Sequence, residues 1–135
     1  KIIISENKII SAEGGNVLHG MKSIDHGFNG FGEVYFSWIK KNNVKAWKKH
    51  NLMTLNLIVP LGKVEFLFYD ENFNNRKKII IGIDNYNRIT VPPKVWFGFK
   101  GCYKESSLVV NCANICHDPS EVETISIKKI PFKGD

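Results

Sequence analysis

Apolar residues recur at every second position in short runs, and a turn-forming residue cuts each run off within a few positions. Leu55, Leu57 and Val59 alternate, Pro60-Leu61-Gly62 interrupts, and Val64, Phe66 and Phe68 alternate again. A period of two stacks side chains on one face of a pleated strand, and runs this short do not complete an ordinary helix. The feature repeats along the chain. Residues 31–39 form an aromatic-rich run behind the Asn29-Gly30 turn, and residues 79–83 open a strand after the polar, Asn-rich stretch 70–78. Ile89-Thr90-Val91 stops at Pro92-Pro93, which has no amide donors to continue a ladder. Residues 95–99, 107–112 and 125–130 complete roughly eight to ten strands at the spacing of a sandwich or barrel. At the start, Ile2-Ile3-Ile4 and Ile9-Ile10 read as a hairpin or a bent strand, and residues 17–28 are irregular. The 17 Ile and 10 Val, against 7 Leu and 3 Ala, also favour strands. No long amphipathic helix, repeat or linker interrupts the pattern. The expectation is an all-β chain, a jelly-roll β-sandwich or barrel with little helix, folded as a single domain over residues 1–135.

A chain of 135 residues, 43% of them hydrophobic, holds one core and is too short for two of ordinary size. Its net charge of +6 suits an anionic partner. Seventeen of the 19 basic residues are lysine, with only Arg76 and Arg88 to supply the bidentate contacts that read bases, so sequence-specific nucleic-acid binding is disfavoured. Three cysteines cannot all pair within the chain, and no apolar run reaches spanning length. A reduced, cytoplasmic protein without membrane attachment is expected.

Four histidines are present, and His50 stands out because it follows Val44-Lys45-Ala46-Trp47-Lys48-Lys49 at the mouth of an apolar strand. Kept neutral among cationic lysines, an imidazole can accept a proton as a general base. The cluster of Lys40, Lys41, Lys45, Lys48 and Lys49 can gather a diphosphate, although a solvated face is the commoner use of such a run. Trp38, Trp47 and Trp96 can stack a flat ring, and more often fill a core. Cys112, Cys116 and His117 supply at most three zinc ligands and lack a second CxxC pair. Val110, Cys112 and Asn114 alternate on one face, which reads as barrel lining.

Several segments occur together in an order that resembles the dTDP-4-dehydrorhamnose 3,5-epimerase (RmlC-like cupin) family, in a short, divergent branch. They are Val44-Lys45-Ala46-Trp47-Lys48-Lys49-His50, Met53-Thr54-Leu55-Asn56-Leu57, Gly62-Lys63-Val64-Glu65-Phe66 with Asp70, Asn85-Tyr86-Asn87-Arg88-Ile89-Thr90-Val91-Pro92-Pro93, Phe97-Gly98-Phe99-Lys100-Gly101 and His117-Asp118-Pro119-Ser120-Glu121. The likeness spans about residues 24–123. It implies a jelly-roll, usually a homodimer, that acts on nucleotide-diphosphate sugars carrying a 4-keto group, with no metal or organic cofactor. It also implies a mechanism. A C4 ketone acidifies the hydrogens on C3 and C5, a histidine removes one, the enolate is stabilised, and an acid returns a proton on the opposite face.

By that resemblance His50 takes the place of the catalytic base. Phe31 and Glu33 take the nucleotide-contacting positions of an RGxFxE motif, and Lys48, Lys49 and Arg88 are candidates to hold phosphate or polarise the ketone. The family's acid tyrosine falls on Asn111, which cannot deliver a proton at ordinary pH. Tyr35, Tyr69, Tyr103 and His117 are the candidate replacements. By the resemblance, the aspartate that orients the family's histidine comes from a C-terminal extension that this chain is expected to lack. Phe97 stands where the family carries a histidine. The expected function is epimerisation at C3, C5 or both. The alternatives are a sugar-nucleotide binding protein with reduced catalysis and a nucleotide-sugar ketoisomerase.

Overall fold

A computed structural model of the chain describes residues 1–133. Twelve strands run in the order β1 (Ile3–Glu6), β2 (Ile9–Ile10), β3 (Val17–Leu18), β4 (Glu33–Ile39), β5 (Val44–His50), β6 (Leu55–Leu61), β7 (Lys63–Tyr69), β8 (Lys77–Gly82), β9 (Asn87–Val91), β10 (Trp96–Gly101), β11 (Ser107–Ala113) and β12 (Val122–Thr124). A 3-10 turn, Pro119–Glu121, precedes β12. No helix among the described residues is long and apolar enough to cross a membrane.

Two five-stranded sheets face each other, one ordered β1-β9-β6-β11-β4 and the other β12-β5-β10-β7-β8. The pairings among these strands are antiparallel, and β2 and β3 form a separate ribbon. The expected jelly-roll sandwich is therefore what forms. Its turns follow the local chemistry. At Gly62 the backbone takes φ +91°, and a Cβ there would stand 2.1 Å from the Ser107 hydroxyl oxygen, so β6 can double back into β7 only at glycine.

The alternation seen in the sequence becomes a core between the sheets. Val59, Val64, Phe66, Phe68, Ile81 and Ile89 are fully buried there, and the Phe66 ring lies 5.4 Å from Phe99. The outer face of the second sheet is also covered. Trp47, Leu67 and Trp96 pack beneath Phe73, Ile125, Ile130 and Phe132, and the Trp47 indole N–H donates to the Ile130 carbonyl at 2.7 Å. That cover corrects the expected strand over residues 125–130. Pairing with β5 is confined to Val122–Thr124 plus a last backbone exchange between Trp47 and Ile125. The chain then turns, with the Lys129 amide bonded to the Ser126 carbonyl. Ile125 and Ile130 serve the tryptophans rather than a ladder.

Cys112 is likewise not barrel lining. It packs with Val110, Ile58 and Tyr86 in a cluster apart from the central core, because its neighbours Asn111 and Ala113 take the inward positions on β11.

Arg88 anchors the N-terminal segment. Its side chain is 2% exposed, and its guanidinium donates to Asn56 Oδ1 (3.3 Å), Asn7 Oδ1 (3.0 Å), Asp25 Oδ2 (3.3 Å) and the His26 carbonyl (2.8 Å). These acceptors come from three stretches of chain, two of which are also joined by the Asn56 amide donating to the Gly27 carbonyl at 3.1 Å. Arg88→Ala should therefore lower the unfolding free energy by about 3 kcal/mol, as expected for removing one partner of a buried charged network. Urea denaturation checks this, and a loss below about 0.5 kcal/mol would refute the anchoring role.

Candidate active site

One end of the sandwich is filled by phenylalanine and isoleucine, and towards β4 and the β12–β5 side the sheets part around a cavity of about 400 Å³. Its walls come from both sheets. Tyr35 and Ser37 of β4, Leu55 and Leu57 of β6, and Val109 and Asn111 of β11 face Lys45, Ala46, Trp47, Lys48 and His50 of β5, Phe97 and Phe99 of β10, and Thr124 of β12. The register of β10 against β5 shifts between Phe97 and Gly98. A Cβ at Gly98 would sit 2.5 Å from that of Ala46, so the two strands approach closely at this point only because residue 98 is glycine.

His50 ends β5, is 5% exposed, and stacks on the Phe97 ring at 6.1 Å between centroids. Its Nδ1 lies 2.5 Å from Glu121 Oε2. The other carboxylate oxygen accepts the backbone amides of Leu52 (2.8 Å) and Met53 (3.1 Å). Burial is the largest influence on Glu121 and pushes its carboxyl up. The bonds from His50, Leu52 and Met53 together outweigh it and hold the group below the usual carboxylate range. Glu121 is thus an anion that accepts from Nδ1–H; in a neutral imidazole this bond selects the tautomer whose lone pair is on Nε2. His50 therefore has a carboxylate partner, Glu121, to which the resemblance assigned no role. The Asp118 side chain caps the 3-10 turn by accepting from the Ser120 amide at 3.0 Å, and the turn swings Glu121 inward.

The other candidates separate by strand face. Lys48 lines the cavity, as does Lys45, whose ammonium donates to the Trp38 carbonyl at 2.7 Å. Lys49 is not among the lining residues. It is 8% exposed, bonded to Glu71 at 3.3 Å and Glu123 at 3.4 Å, and lies 5.2 Å over the Trp96 ring. Arg88 is committed to the N-terminal segment and also lies outside the lining. Lys40 and Lys41 are exposed.

Of the candidate acids, only Tyr35 lines the cavity. Tyr69 packs on Trp47 and Phe73, Tyr103 borders a different groove beside Gly62 and Ile83, and His117 is exposed. Glu33 shares the Tyr35 face of β4 and accepts the His117 amide at 2.9 Å, whereas Phe31 stands exposed just ahead of β4. Trp38 is exposed, and Trp47 and Trp96 are buried against other aromatics. Cys112, Cys116 and His117 do not gather into a ligand set, and no group of three metal-binding side chains occurs among the described residues.

What the sequence reading missed is Glu121. Within His117-Asp118-Pro119-Ser120-Glu121, the Asp-Pro-Ser-Glu pattern is a cap-and-turn signal that marks it. Its distance of 71 positions from His50 hid the pairing.

The cavity combines an apolar lining with an oriented imidazole, a phenol, an amide and two lysines. No family model matches the chain, and no curated protein matches it. Solved structures do. The chain is similar to a dTDP sugar isomerase from Desulfovibrio desulfuricans G20, at 37% identity and a TM-score of 0.91 over 98% of this chain and 89% of that one. A dTDP-4-dehydrorhamnose 3,5-epimerase from Sulfolobus tokodaii follows it at 21% identity and a TM-score of 0.83, over 98% of this chain and 82% of that one. A sugar 3,4-ketoisomerase from Thermoanaerobacterium thermosaccharolyticum, in complex with TDP, shares the fold at 19% identity and a TM-score of 0.78, over 96% of this chain and 91% of that one. With the likeness to the Desulfovibrio protein running nearly end to end, the chain belongs to the RmlC-like family of dTDP-sugar isomerases and 3,5-epimerases.

Proposed function

We propose that the chain is a cofactor-independent epimerase of nucleotide-diphosphate-linked 4-keto-deoxy sugars, with His50 as the base. The observation that carries this reading is the His50–Glu121 pair, a buried histidine tautomerically fixed by a carboxylate and facing an apolar cavity. The ketone of such a sugar supplies the acidity, so the protein has only to place a base, stabilise the enolate and return a proton. In a cavity walled by Leu55, Leu57, Phe97, Phe99 and Val109 an enolate is poorly solvated, and the nearby ammonium groups of Lys45 and Lys48 favour the anion and the diphosphate. Glu121 also weighs against the binding-only alternative, since a sugar-binding pocket has no need of an oriented base.

We also propose a homodimer. Val34, Phe36 and Trp38, on the outward face of edge strand β4, are 40%, 62% and 55% exposed. An aromatic stripe on an edge strand is a surface that a second copy would cover. The free thiols of Cys102, Cys112 and Cys116 fit a reducing compartment such as the cytoplasm.

Proton NMR in deuterium oxide with dTDP- and GDP-linked 4-keto-6-deoxy sugars tests the activity. His50→Asn should cut deuterium incorporation next to the ketone by about 100-fold or more, and unchanged exchange would remove His50 from the mechanism. Glu121→Gln keeps an acceptor for the two amides but presents N–H to Nδ1, so the wrong tautomer forms. Turnover should fall by about 10⁴-fold, as for a mis-oriented triad histidine, with the imidazole ¹⁵N shifts exchanging; full activity would show that orientation does not matter. Phe36→Lys with Trp38→Glu should convert the dimer to monomer in light scattering. A wild-type monomer at micromolar concentration would reject the interface.

A further inference from the structure

The family position of the proton donor is held by Asn111, which cannot serve as an acid at ordinary pH. Asn111 does not act alone. It is the register partner of Tyr35 across the β11–β4 ladder, and its amide nitrogen donates to the Tyr35 phenol oxygen at 3.1 Å.

The direction of that bond is settled by a group that can only donate. Asn111 Oδ1 accepts the backbone amide of Asn56 at 3.1 Å, so the amide nitrogen must be the end that faces Tyr35. The phenol oxygen is consequently an acceptor in this pair, and its own hydrogen is left over. The described residues offer that hydrogen only the thioether of Met53 at 3.7 Å, a weak acceptor. Burial, the largest influence, pushes the Tyr35 phenol up; the Asn111 bond opposes it, and Glu33 and Glu121 push the same way as burial. The group stays protonated through the neutral range. Tyr35 lies on the sheet opposite the one that carries His50, and both line the same cavity.

Resting on the epimerase reading above, we propose that Tyr35 is the catalytic acid and Asn111 its positioning residue, the donor having moved one strand across the ladder from β11 to β4. His50 Nε2 takes the hydrogen next to the ketone as a proton. The C–H pair becomes the C=C of an enolate, and the carbonyl π pair moves onto oxygen. The enolate then collapses, its C=C pair taking the phenol proton on the other face of the ring. The products of this step are an inverted carbon, an imidazolium and a phenolate, and the phenolate is stabilised by the Asn111 N–H. Transfer of the imidazolium proton to the phenolate through solvent restores both groups. A base and an acid on opposite walls are what inversion requires. A shift of the keto group between adjacent carbons can instead be served by one group on one face.

Two variants test this in deuterium oxide. Tyr35→Phe removes only the hydroxyl. It should lower formation of the inverted sugar by about 100-fold or more while His50 continues to exchange the substrate hydrogen for deuterium with retention. Asn111→Asp keeps an acceptor for the Asn56 amide but sets a carboxylate oxygen against the phenol, drawing the phenol proton away from the substrate. It should reproduce the same split. Inversion at the wild-type rate in Tyr35→Phe overturns the proposal. So does loss of exchange in step with inversion, which would make Tyr35 a binding or carbonyl-activating group. Absence of exchange in the wild-type protein with every sugar tested would instead overturn the epimerase reading itself, a result distinct from either variant outcome.

Discussion

A single buried carboxylate organises this half of the molecule. Glu121 sits almost wholly out of water, where an unmatched charge would be costly, and it is tolerated because three donors converge on it: His50 Nδ1 and the amides of Leu52 and Met53. Those donors span the end of β5 and the crossing to β6, so the same bonds that keep the charge satisfied also fix where the chain passes from one sheet to the other. The imidazole is oriented as a by-product of that crossing. Its ring packs on that of Phe97, which offers a ring face rather than a second ionisable group.

The two ends of the sandwich divide stability from chemistry. At one end Phe66, Phe68 and Ile81 fill the space between the sheets without leaving room for a ligand. At the other, the shorter side chains Leu55, Leu57 and Val109 stop short of the facing strands and a cavity remains. Close packing rewards the first arrangement and would close the second unless something held the walls apart. The cluster of Trp47, Leu67 and Trp96 joins β5, β7 and β10 beneath Ile125, Ile130 and Phe132, and Trp47 also borders the cavity.

The strand that carries the base also sorts the lysines. Lys48 and Lys49 are neighbours in sequence and opposites in environment: the first borders the cavity, the second is spent on Glu71, Glu123 and the Trp96 ring. One residue of strand pleat separates a charge available to an anionic ligand from a charge already neutralised. Arg88 shows the same logic on the first sheet, where a cation that suits phosphate is instead the hub of a hydrogen-bonded network around the N-terminal segment.

Much of the architecture was legible in the chain itself. Period-two alternation, the Pro92-Pro93 stop and the Gly62 turn are local properties, and local sterics and hydrogen bonding enforce them wherever they occur. His50 and Tyr35 could be picked out as chemically able groups for the same reason. Their partners could not. Glu121 is 71 positions from His50 and Asn111 is 76 from Tyr35, and nothing in residue type announces such pairings. The fate of residues 125–130 is of the same kind, because their β-like spacing is overruled by packing over Trp47 and Trp96, far away in sequence. The sequence by itself determined the strands, their turns and the kinds of side chain on offer. Only the tertiary structure decided which carboxylate meets the histidine, which amide meets the phenol and which lysine faces the cavity, since those depend on how two sheets are brought face to face.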